Sequence, residues 1–183
     1  MTRIIGIAGS LRRDSFNAAL LRAALELVPQ NARLDIEAIR DIPLYNYDVE
    51  VEGIPPAVSR LKDEIGAAAG LLIATPEYNN AIPGVAKNAI DWLSRPPDDI
   101  PRVFHNKPVA VMGASPGRFG TVLSQNAWLP VLRTLGTRPW FGGRLLVSQA
   151  AQMFDANGKL ANDTIRNLLR EFVTGFFEFA THK

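Results

Sequence analysis

Two kinds of segment alternate along this chain. Short apolar runs, each too brief for a helix, take turns with longer segments whose apolar residues recur at helical spacing. The short runs are Ile4–Ala8, Leu34–Ile39, Gly70–Ala74, Val109–Ala114 and Leu145–Ser148. Gly9 ends the first and Thr75-Pro76 closes the third. Between them, the periodicity predicts helices over Phe16–Val28, Pro55–Ala69, Gly84–Ser94, Thr121–Leu135 and Thr164–Ala180. Pro130 should kink or break the fourth of these. The Pro-rich stretch Arg95–Pro101 reads as a loop and Asp155–Gly158 as a turn. Five strands alternating with five helices imply an α/β fold: a doubly wound, five-stranded parallel sheet with helices on both faces. At 183 residues, a single domain over 1–183 is expected.

A sheet of this kind binds ligands beyond the C-terminal ends of its strands. That rule selects three loops: Gly9–Asn17, Thr75–Pro83 and Ser115–Thr121. His105 falls at the opposite end of the sheet, and His182 lies near the terminus, so neither of the two histidines belongs to the site. The chain has no cysteine, which removes disulfides, thiolate ligands and thiol catalysis. Net charge is +2, spread without a basic stripe, so a nucleic-acid partner is not expected. No apolar stretch approaches membrane-span length and no leader-like apolar region precedes the first strand, so a cytoplasmic location without membrane contact is the expectation.

The first loop, GSLRRDSFN, joins a strand to a helix, where backbone N–H groups and the positive helix end suit an anion. Ser10, Ser15 and Asn17 add donors and Arg12 a charge; Ser15 or Asn17 can equally serve as a plain helix cap. Neither G-x-x-x-x-G-K-[ST] nor G-x-G-x-x-G is present, so a mononucleotide such as FMN fits better than a dinucleotide. The second loop, PEYNNAIPG, is stiffened by Pro76 and Pro83, with Asn79-Asn80 favouring a tight turn. Its backbone suits the polar edge of a flat heterocycle, with Tyr78 packing nearby. Glu77 is either a general base or a loop brace. In the third loop, SPGRFGT, Gly117 and Gly120 permit close backbone approach to a ring.

GSLRRDSFNAAL, TPEYNNAIPGVAKNAIDW and SPGRFG together resemble the NADPH-dependent FMN reductase family, which includes bacterial quinone, chromate and azo-dye reductases. The resemblance implies a flavodoxin-like fold and an oxidoreductase that takes hydride from NADPH or NADH through FMN and passes electrons to a small acceptor. It implies phosphate contacts at Ser10, Arg12, Ser15 and Asn17. Ring and ribityl contacts are implied at Pro76, Glu77, Tyr78 and Asn79, with further ring contacts at Ser115 and Gly117. No catalytic side chain and no metal is implied. Two departures stand out: Ala86 replaces a larger aliphatic, and Arg118-Phe119-Gly120 replaces a more Gly-rich run. The alternative reading is a flavodoxin-type one-electron carrier without a substrate of its own. The helices Gly84–Ser94 and Thr121–Leu135, with Trp92 and Trp128, carry more apolar surface than one sheet face needs. That surplus, and the resemblance, predict a homodimer or homotetramer, with Arg95–Pro101 walling a neighbour's pocket.

Overall fold

A computed structural model describes residues 1–182. In chain order the elements are β1 (Thr2–Ala8), α1 (Phe16–Leu25), β2 (Ala32–Glu37), α2 (Tyr47–Glu52), α3 (Pro56–Ala67), β3 (Gly70–Ala74) and α4 (Gly84–Leu93). They continue with α5 (Ile100–Val103), β4 (Pro108–Ala114), α6 (Val122–Thr134), β5 (Arg138–Pro139), β6 (Leu146–Val147), α7 (Ala150–Met153) and α8 (Asp163–Thr181). The strands pair in parallel in the order β2-β1-β3-β4-β5, with β6 also on β4. This is the flavodoxin-like order.

The sequence runs that looked like buried strands are buried. Every residue of β3 is inaccessible, as are Ile4, Ile5 and Ile7 of β1, because helices cover both faces. α1 and α8 pack on one face through Leu20, Leu21, Phe172 and Phe176; α3, α4 and α6 pack on the other through Leu61, Ile65, Ile90 and Trp128. Each fully buried Phe or Leu stabilises the fold by ~1.5–3 kcal/mol. α1 starts at a Ser15 cap and stops before Pro29; α3 starts on the Pro55-Pro56 pair.

Four sequence expectations change. The fifth strand, expected at Leu145–Ser148, is split into β5 and β6, because residues 141–144 leave the sheet. α6 runs unbroken through Pro130, whose exposed position places the lost backbone bond in water. Arg95–Pro101 is not simple loop: a 3-10 turn at Pro97–Asp99 leads into α5. It follows the end of α4 remote from the second loop, so within one chain it does not reach the cleft. Trp92 and Trp128 are fully buried within the chain, so they are core and not surplus surface. Trp92 donates its indole N–H to the Pro43 carbonyl at 2.9 Å.

The Arg95–Pro101 segment is held by a buried cation. Lys62 on α3 is 1% exposed and donates to the Arg95 carbonyl and to Asp99, the latter at 2.8 Å. The Lys62 bond, helped by Arg102, holds the Asp99 carboxyl below the usual aspartate range. Among the described residues, no helix is long and apolar enough to cross a membrane.

Candidate functional site

β1 and β3 end level with one another, and β4 runs two residues further. Ala8 pairs with Ala74 and Ala74 with Met112, and the chain continues in register as Gly9 N–H bonds Ala74 O and Thr75 N–H bonds Met112 O, both at 2.8 Å. The strand order reverses at β1, whose neighbours are β2 and β3, so the first two loops leave on opposite sides of a crevice. Gly9 permits their closeness: a Cβ there would sit 3.1 Å from both Ala86 Cβ and Pro76 Cδ.

A cleft of about 300 Å³ opens at this point. Ser10, Arg12, Ser15, Asn17, Pro76, Glu77, Tyr78 and Ser115 all line it, so the structure brings together most of the residues singled out from sequence. Asn79 and Gly117 do not line it. Asn79 and Asn80 form the tip of a two-residue hairpin, with φ of 50° and 62°, closed by paired bonds between Tyr78 and Ala81 at 3.2 and 3.0 Å. The Gly117 carbonyl accepts from the Gln149 N–H at 2.9 Å. Sequence reasoning missed Phe16, Ala114 and Pro116, which complete the lining. Phe16 carried a signal, as the first residue of a helix that opens on a loop; Ala114 carried none.

Several side chains expected on a ligand are spent on the protein itself. Asn17, 2% exposed, donates to Ala114 O and accepts from Ala114 N, each at 2.9 Å. Its amide fastens the start of α1 to the end of β4, which leaves its backbone N–H for an anion. Glu77 accepts from the N–H groups of Leu123 at 2.8 Å and Ser124 at 3.0 Å. It therefore caps α6, where Thr121 makes no side-chain cap bond, and braces the second loop against that helix. Ser115 donates to Gly120 O at 2.5 Å, and the Thr75 hydroxyl lies 2.9 Å from that of Ser124. Ser10 contacts the Tyr78 hydroxyl at 3.3 Å, and Arg40 donates to Leu11 O at 3.1 Å. All three loops are thus tied to one another or to neighbouring elements.

Two helix N-termini adjoin this cleft, and they differ. That of α6 is already filled by Glu77. That of α1 has no acidic residue in its first turn, and its surroundings are the Ser10 and Ser15 hydroxyls and the Arg12 guanidinium, which lies 5.2 Å from the Phe16 ring centroid. Such a donor set, with no free carboxylate in the lining beyond the committed Glu77, fits a monoester phosphate. Apolar walls at Pro76, Ala114 and Pro116 fit a flat ring beside it. No cluster of His, Asp or Glu able to hold a metal occurs among the described residues.

Comparison with known proteins agrees with this geometry. The profile of NADPH-dependent FMN reductases matches residues 2–152. The chain belongs to the NADPH-dependent FMN reductase family. Family membership makes it an NAD(P)H-dependent oxidoreductase of the FMN reductase kind, as the three motifs imply. The chain is 46% identical over 169 residues to an NAD(P)H-dependent FMN reductase of Pseudomonas aeruginosa, covering 92% of this chain and 90% of that one. It is 40% identical over 170 residues to a quinone reductase of Pseudomonas putida, covering 93% and 90%. The structure of FerB, a flavoenzyme NAD(P)H:(acceptor) oxidoreductase from Paracoccus denitrificans, superposes with a TM-score of 0.88 at 32% identity, over 99% of this chain and 98% of that one.

Proposed function

We propose that the cleft holds FMN and that the chain moves electrons from NADPH or NADH to a small acceptor, of which a quinone is the first choice. The observation that carries this reading is the contrast between the two helix ends. At α1 the Ser15 hydroxyl takes only the Ala18 N–H, at 3.3 Å, and the N–H groups of Phe16 and Asn17 face no carboxylate, whereas at α6 Glu77 takes those of Leu123 and Ser124. A single phosphate cradle without a dinucleotide fingerprint favours FMN. Bound there, FMN supplies the two-electron chemistry. Ser10, Arg12 and Ser15 hold the phosphate, while Pro76, Glu77, Tyr78 and Ser115 with its neighbours wall the ring. Tyr78, half exposed at the mouth and tethered by Ser10, offers its ring face to a planar acceptor. The relatives named as quinone reductases support the choice of acceptor.

Mixing the anaerobic holoprotein with NADPH is expected to bleach the flavin absorbance rapidly, and benzoquinone should restore it. Absence of bleaching with both NADPH and NADH would return the chain to the one-electron carrier reading. The phosphate assignment has its own test. Arg12→Ala combined with Ser15→Ala is expected to weaken FMN binding at least about fivefold, since each lost bond costs ~0.5–3 kcal/mol. Flavin fluorescence titration measures this, with circular dichroism confirming that α1 survives loss of the Ser15 cap. Unchanged affinity in a folded double variant defeats the assignment.

We further infer a homodimer, or a tetramer built from it. With Trp92 and Trp128 in the core, support comes from the segment after β2. Leu44 is 82%, Tyr47 58% and Val51 64% exposed, and this segment is laid against α4 by the Asn88 bonds to Tyr45 N and Pro43 O. Light scattering should return a multiple of the chain mass, and Tyr47→Asp with Val51→Asp should reduce it. A monomeric mass for the wild-type holoprotein overturns this inference and leaves the cofactor reading standing.

A further inference from the structure

The outer edge of the sheet contains a notch. β5 pairs with β4 only at Pro108 and Val109, and β6 only at Gly113 and Ala114. Val111, midway along β4, has no paired residue on that side. The cause is local. Trp140 turns inward onto Phe172 and Phe176, with ring centroids 4.9 and 5.8 Å away. The following glycines lie against its indole, where a Cβ on Gly143 would approach the ring to 2.8 Å. The chain therefore leaves the sheet after Trp140 and rejoins it at Leu145, whose carbonyl accepts the Gly113 N–H at 3.2 Å, with Phe141 in the excursion, 73% exposed.

The notch is a cavity of about 250 Å³ between this excursion and α6. Its walls are Val111, Leu129, Leu132, Pro139 and Trp140, and Arg144 stands in its lining. Gln125, also in the lining, has its amide nitrogen committed to Thr121 Oγ1 at 3.0 Å and Leu145 O at 2.9 Å. Arg144 has no hydrogen bond or ion pair among the described residues. An apolar slot of this size with one uncommitted cation matches a small aromatic body bearing an anionic group. It shares no lining residue with the cofactor cleft.

We propose that this edge notch is a second binding site, selective for a small aromatic carboxylate whose ring enters between Trp140 and α6 and whose carboxylate meets Arg144. Val111, Leu129 and Trp140 exclude water from the ring, and the guanidinium supplies paired donors that a neutral analogue cannot use equally.

Calorimetric titration of the flavin-loaded protein with naphthoate and with its carboxamide tests the proposal. Saturable binding at one site per chain is expected for naphthoate, with the carboxamide weaker by about tenfold or more, as expected for a charge-assisted bond. Arg144→Gln should bring naphthoate down to the carboxamide's affinity while leaving flavin content unchanged. The carboxamide comparison needs no variant, so it stands even if Arg144→Gln folds poorly. Three outcomes overturn the proposal: no saturable binding, equal affinity for the two probes, or naphthoate that shifts the flavin spectrum and competes with benzoquinone. A fourth is naphthoate binding that appears only as an oligomer dissociates, which would assign the notch to a second copy of the chain.

Discussion

Asn17→Ala is expected to lower stability by about 2–4 kcal/mol, a loss of roughly 5–15 °C in Tm for a chain of this size. The reason lies in Ala114 more than in Asn17. The Asn17 amide satisfies both the N–H and the carbonyl of Ala114, and Asn17 itself is 2% exposed. Truncation strands two backbone groups where water has little access, and each orphan costs ~1–3 kcal/mol. The same change unties α1 from β4, so FMN affinity should fall although no ligand contact of the side chain is removed. Thermal melts with and without added FMN measure both effects. A Tm within two or three degrees of wild type, on the order expected for a surface substitution, would show that the tie is not structural.

The second large effect concerns the buried cation. Asp99→Ala should cost about 3 kcal/mol, because it leaves Lys62 buried with the Arg95 carbonyl as its remaining hydrogen-bond acceptor. Lys62→Met should cost clearly less: it removes the buried charge, and Asp99 retains Arg102 at 3.1 Å. The pH dependence follows from Asp99, whose carboxyl is held below its ordinary range by the Lys62 bond first. Its contribution is present above the unfolded aspartate range and is lost as pH falls through the lower folded value. Urea melts from neutral pH into the acid range should show a smaller loss in Asp99→Ala than in wild type, the remainder coming from Asp35 and Glu50, which are also held low by their arginine partners. Equal costs for the two substitutions would refute the buried-charge account.

The sheet was legible because β1, β3 and β4 are covered on both faces and so read as unbroken apolar runs. The loops of the cleft were legible because ligand sites follow from strand direction, which the alternation already implies. What the side chains do there was less so. Asn17 and Ala114 are 97 positions apart, and Glu77 reaches α6 across 46 positions, so no local spacing announces either bond. Trp92 looked like surplus surface because its cover, the Pro43 carbonyl and Tyr45, comes from a segment with no strong pattern of its own. The split of the last strand depends on Trp140 choosing Phe172 and Phe176 over the sheet edge, a tertiary preference that overrides the local run.

The mutual bracing of the three loops would also set how fast the FMN proposed for this cleft is gained and lost. Asn17, Glu77, Ser115 and the Asn79-Asn80 hairpin fix the socket by bonds within the chain itself. A ligand entering such a socket has little backbone to order, so little of its contact energy is offset by lost chain entropy. Arrival is then governed by diffusion and by the charge at the α1 end, and departure by the bonds to the ligand alone. On the FMN reading proposed above, the cofactor would leave and return without any refolding of the chain.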